Sequence, residues 1–156
     1  MELFKNDPLI AGVVAWFVAQ IIKMAIILSQ REKVTLSQLF ASGGMPSSHS
    51  SCVCALTTCL RVEYGINSPL FAIAAVFSFI VMYDAIGVRR ETGEQSKVLN
   101  RLAHNVFVER KIKLIEKDLK ELIGHTPIQV FFGLLLGITI GLLYPYLLGH
   151  WMLYAA

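Results

Sequence analysis

Apolar residues along this chain gather in long blocks instead of recurring every third or fourth position. Leu9 to Leu28 is one block, interrupted by Gln20 and Lys23. Pro69 to Val88 is a second, with Asp84 near its end, and Ile128 to Leu148 is a third that carries no charge. Each is about 20 residues long, the length a helix needs to cross a bilayer. A fourth segment, Pro46 to about Tyr64, is rich in Ser, Thr, Cys and Ala, with Arg61 and Glu63 near its end. It suits a central helix shielded by its neighbours, since small residues let helices approach closely; a re-entrant half-helix is the other arrangement it allows. Asn6-Asp7-Pro8, Met45-Pro46, Ser68-Pro69 and Thr126-Pro127 each read as a helix start. The pattern predicts one all-α domain over residues 1–156: an integral membrane bundle of about four transmembrane helices.

One stretch does show helical periodicity. Val108, Ile112, Ile115, Leu119 and Leu122 are spaced by four and three, with Lys and Glu between them. That predicts an amphipathic helix lying on the membrane surface or over the active face.

Composition fits the same class. Of the 156 residues 55% are hydrophobic and the mean hydropathy is +0.60, whereas soluble domains are about 45–50% apolar. The first block does not read as a cleavable signal peptide: its basic region is Lys5 alone and no small-residue cleavage site follows. Cys52, Cys54 and Cys59 all fall in the Pro46–Tyr64 segment. An odd number on one helix argues against a disulfide framework, and the spacing is wrong for a zinc site, so small buried thiols are expected. No metal, other cofactor or nucleic-acid partner is expected.

Charge sets the topology. Between Arg89 and Gly124 stand nine Lys/Arg, at 89, 90, 97, 101, 110, 111, 113, 117 and 120. The positive-inside rule puts this connector in the cytoplasm. With four spans the first connector lies on the same side and both termini lie outside, in what is expected to be the plasma membrane. The start of the second segment, the end of the third and the start of the fourth then share one face.

Chemistry concentrates at that face. Ser42-Gly43-Gly44-Met45-Pro46-Ser47-Ser48-His49-Ser50-Ser51 combines two glycines, a helix start, hydroxyl donors and an imidazole. The free N–H groups of a first helical turn bind anions, and a histidine exchanges protons near neutral pH, so the stretch suits a phosphate; a serine-rich helix cap is the plainer reading. Lys23 lies deep in the first block, where it snorkels to the interface or faces a polar interior. Asp84, inside an apolar block, is a functional candidate. Arg89 and Arg90 just beyond it can pair with Asp84, grip a phosphate or anchor the interface. His125 precedes a helix start, as His49 does. Gly133, Gly137 and Gly141 place a smooth groove along one face of the last segment, suited to packing within the bundle or to a homo-oligomer.

Three blocks, GGMPSSHSS, YDAIGVRRETGEQSKVLN and IGHTPIQVFFG, resemble the divergent type 2 phosphatidic acid phosphatase family, small membrane relatives of the acid phosphatases and vanadium haloperoxidases. The likeness runs from about Lys23 to Gly133. It implies that His49 matches the general acid of the superfamily's Pro-Ser-Gly-His block, with Ser48 in the glycine's place, and that His125 matches the nucleophile. Lys23 and Arg31 would be the early phosphate-binding pair, joined by Gly44, Ser47, Ser48, Arg89 and Arg90. Two departures stand out. Where the superfamily has an arginine six residues before the nucleophile this chain has Leu119, and where it has an aspartate four residues after, this chain has Gln129. Arg89 or Arg90 is then expected to replace the arginine, and Asp84 or Glu91 the carboxylate.

The resemblance implies a metal-independent phosphatase acting on a lipid phosphate monoester or diphosphate through a phosphohistidine. The alternative is a protein that binds or transports a lipid phosphate in the same anion pocket without hydrolysing it.

Overall fold

The computed structural model describes residues 6–30, 44–110 and 125–147, and every regular element in them is a helix. There are five: α1 Asp7–Ser29, α2 Ser48–Tyr64, α3 Pro69–Ile86, α4 Val88–Arg110 and α5 Pro127–Leu147. Three helical runs are long and apolar enough to cross a membrane: α1, the run Pro69–Leu102 that carries α3 into α4, and α5.

The helix starts follow from the side chains that precede them. Asn6 caps α1 by accepting from the Leu9 N–H at 3.1 Å, and Pro8 occupies the first turn. Ser68 caps α3, which opens on Pro69. The start of α2 differs from expectation. Pro46 is not its first helical residue; Ser47 is the N-cap and the helix begins at Ser48. The fifth proline, Pro145, is buried within α5 near its end.

α2 is the central helix. It has 17 residues, about 25 Å of α-helix, and packs on α1, α3 and α5. Ser78 Oγ lies 2.7 Å from Thr57 Oγ1 and donates to the Val53 carbonyl at 3.0 Å, so α3 runs antiparallel to α2. Gly12 of α1 abuts Cys52 and Leu56, while Lys23 reaches Ser48, so α1 is antiparallel as well. Gly133, Gly137 and Gly141 of α5 abut Ser47, Ser51 and Ala55 in that order. α5 is therefore parallel to α2. α2 is thus packed on three helices, as its small residues predict for a shielded central helix.

The packing is inverted relative to a soluble protein. Ala11, Ala15, Ala19, Ala55 and Cys59 are wholly buried, whereas Ile73, Phe77, Phe79 and Ile80 are more than half exposed. Small residues allow close approach inside, and large apolar ones suit a surrounding of hydrocarbon rather than water. The glycine groove is used within the chain. A Cβ on Gly137 would stand 2.5 Å from the Ser51 carbonyl oxygen, so of the two uses expected for this groove, packing within the bundle or a homo-oligomer, the chain shows the first. Cys54 and Cys59 are buried and Cys52 half-buried, all three as free thiols.

α4 was not foreseen as a helix over its first two-thirds. The chain turns at Gly87 and resumes at Val88, with Thr92 and Ser96 hydroxyls donating to carbonyls four residues back and Lys97 paired with Glu94 at 3.1 Å. The periodic stretch from Val108 to Leu122 lies outside the described residues beyond position 110.

Candidate active site

The register of the bundle brings the C-terminal ends of α1 and α3 and the N-terminal ends of α2 and α5 together. Lys23 lies two turns from the end of α1, and the residue is only 5% exposed. Burial at that depth requires a partner. Lys23 Nζ donates to Ser48 Oγ at 3.2 Å, so it faces the polar interior of the bundle rather than the lipid interface. Its aliphatic stem passes within 4 Å of where a Gly44 Cβ would stand. Gly44 itself has φ +88, the left-handed region that glycine adopts without strain. The turn it makes sets the chain against Lys23 just ahead of α2.

The serines divide by task. Ser47 is wholly buried; its hydroxyl accepts from the Ser50 N–H at 3.4 Å and lies 3.0 Å from Ser50 Oγ. Ser51 donates to the Ser47 carbonyl at 2.8 Å. Ser47, expected at the phosphate, is thus committed to capping α2, and Ser48 is the member of the pair that meets Lys23. His49, on the next residue, is exposed.

His125 is buried at 1% exposure just ahead of α5. Its ring centroid lies 6.3 Å from that of His49, with the planes at 64°. The two imidazoles come from helices far apart in sequence and meet because α2 and α5 run parallel from the same level. His125 Nδ1 stands 3.2 Å from Gln129 Oε1. The same oxygen accepts from the Thr126 N–H at 3.1 Å, while Thr126 Oγ1 accepts from the Gln129 N–H at 3.4 Å. Thr126 and Gln129 therefore form a reciprocal capping box on α5. The Gln129 carbonyl also accepts from the Ser47 N–H at 3.0 Å, tying the start of α5 to the start of α2.

Of the other candidates, Asp84 is half-buried in the last turn of α3, at the same end of the bundle. It does not take the place beside His125 Nδ1, which Gln129 fills. Arg89 and Arg90 fall in the first turn of α4 and Glu91 beside them is exposed. Arg31 lies outside the described residues. From the sequence Gln129 reads as a neutral amide in the carboxylate's place, able to orient an imidazole; its capping of α5 is the part not read. The signal that would have found it is the Thr-x-x-Gln spacing of a capping box in Thr126-Pro127-Ile128-Gln129.

A lysine, a hydroxyl, two helix N-termini and two histidines at one membrane depth have the chemistry to hold a phosphoryl group and move protons around it. Comparison with known proteins agrees with the class. The signature described as the divergent PAP2 family matches residues 4–140. An uncharacterized membrane protein of Bacillus subtilis (strain 168), YuiD, is 45% identical over 94% of this chain and 98% of its own length. No solved structure matches. The chain is a membrane protein and belongs to the divergent PAP2 family.

Proposed function

We propose that the protein hydrolyses a lipid phosphate monoester or diphosphate through a phosphohistidine on His125, at the cytoplasmic face of the plasma membrane. The observation that carries this reading is the meeting of His125 and His49, rings 6.3 Å apart, beside a buried lysine. His125 attacks phosphorus through Nε2, forming an N–P bond as the ester P–O bond breaks. His49, protonated, gives its proton to the departing lipid oxygen. In the second half His49 takes a proton from water, which attacks the phosphohistidine, releases inorganic phosphate and restores His125. Lys23, the α2 N-terminus and the Arg89–Arg90 pair neutralise the equatorial oxygens. In this reading Asp84, at the same end of the bundle, balances the charge of these cations. The nine basic residues between Arg89 and Gly124 support the cytoplasmic assignment.

One observation favours a second reading. Gln129 is neutral, and an amide stabilises a cationic imidazole less than a carboxylate does. A protein that binds or carries a lipid phosphate needs no such stabilisation. Inorganic phosphate release from purified protein in vesicles containing phosphatidic acid or a polyprenyl diphosphate separates the two. The phosphatase reading requires release above that of His125→Ala; lipid-phosphate binding without release supports the carrier.

A further inference from the structure

We propose that Gln129 is the positioning residue of this site, fixing the tautomer of His125 through its side chain and the placement of His49 through its backbone. The inference rests on the phosphatase reading for its catalytic meaning, but not for its geometry. The Thr126 N–H can only donate, so the Gln129 atom 3.1 Å from it is the carbonyl oxygen. The same oxygen is 3.2 Å from His125 Nδ1. Two acceptors do not hydrogen-bond each other, so Nδ1 carries the proton and the lone pair falls on Nε2. That is the nitrogen a nucleophilic histidine must present. Meanwhile the Gln129 carbonyl holds the Ser47 N–H at 3.0 Å, and Ser47 caps the helix whose second residue is His49. One residue thus sets both imidazoles, and its amide does so without adding a negative charge to a site built for an anion.

The expected consequences differ for two substitutions. Gln129→Leu removes the acceptor and releases the tautomer, and kcat falls by roughly 10²–10⁴-fold, the range over which a misplaced catalytic imidazole costs rate. KM moves far less, because the phosphate-binding groups are untouched. Gln129→Glu keeps the acceptor and the capping box, so the Nδ1–H tautomer persists. A carboxylate beside the ring favours the imidazolium, so the protonation midpoint of His125 rises. A purely structural capping role predicts that Gln129→Leu leaves the His125 tautomer unchanged. Lys23, His49, Asp84 and Glu91, the other titratable groups described at this end of the bundle, are the same in both proteins.

The test is nitrogen NMR of histidine-labelled protein in detergent, with the four histidines assigned by single substitution, alongside kcat and KM. Wild type should show His125 as Nδ1–H, Gln129→Leu should lose that signature with helix content kept, and Gln129→Glu should keep it with a raised midpoint. An Nε2–H form in wild type, or unchanged His125 signals in Gln129→Leu, overturns the proposal. If Gln129→Leu does not fold, Gln129→Glu decides: an unmoved midpoint overturns it. Wild type that shows the tautomer but no hydrolysis removes the phosphatase reading and leaves the positioning intact.

Discussion

Lys23 is held by Ser48. The ammonium of a residue inside an apolar helix donates across to the hydroxyl that stands just before His49, which places a cation under the candidate phosphate site instead of at the lipid interface. A buried cation is costly; under the proposed function, the phosphate it would meet offsets that cost.

Lys23→Met follows from that relationship. Methionine fills the same volume without the charge, so the bundle should keep or gain thermal stability while affinity for a phosphate ligand falls by about tenfold or more, each tenfold being about 1.4 kcal/mol. Vanadate or inorganic phosphate protection in a melting assay reads both effects. A stability loss with ligand protection unchanged would give Lys23 a structural task only.

The α2–α5 interface gives a second expectation. A methyl at Gly141 would approach the Ala55 carbonyl to 2.6 Å, and at Gly137 the Ser51 carbonyl to 2.5 Å. Backbone cannot yield as a flexible side chain does, so Gly137→Ala and Gly141→Ala should each cost about 1–3 kcal/mol, despite alanine's higher helix propensity. Melting in detergent measures this. Gly141 lies two turns from Gly133 and the histidine level, so Gly141→Ala should leave affinity for phosphate intact. Unchanged melting of both variants would mean the two helices do not pack as described.

Topology supplies the third. Lys97→Cys in α4 should label from the cytoplasmic side and Asn67→Cys, in the turn between α2 and α3, from the outside. The native thiols give little background, since Cys54 and Cys59 are buried and Cys52 half-buried. Labelling of Lys97→Cys from outside would turn the site to the opposite face of the membrane.

The spans were legible because lipid imposes a simple requirement: about twenty apolar residues, bounded by caps and prolines such as Asn6-Asp7-Pro8 and Thr126-Pro127. α2 was legible from its small residues, which mark a shielded helix. The start of α4 was not. Val88 to Lys97 has no apolar period, and the start of the helix rests on the propensities of Arg, Glu, Gln and Lys, a weak signal read one residue at a time; Val98, Leu102 and Val106, four apart, carry the helical pattern only further on. At the site, the convergence of His49 and His125 could be read from the topology, and Lys23 from the family resemblance, but the division of labour could not. A serine before a helix looks the same whether its hydroxyl caps the backbone, as Ser47 does, or faces a ligand. Sequence allowed Gln129 to orient an imidazole, but could not show that it, rather than Asp84 or Glu91, fills the place beside His125 Nδ1.

The central claim is that His125 takes the phosphoryl group and His49 supplies the proton. The measurement that reaches it most directly is trapping of acid-labile, base-stable phosphohistidine, followed with a lipid phosphate and with an activated aryl phosphate. Wild type should form the adduct with both, and His125→Ala with neither. An aryl oxide leaves without a proton, so His49→Ala should still form the adduct from the aryl ester, while its rate on the lipid ester falls by about 10²–10⁴-fold. Full lipid phosphate hydrolysis by His125→Ala, or an adduct that survives its substitution, would contradict the account.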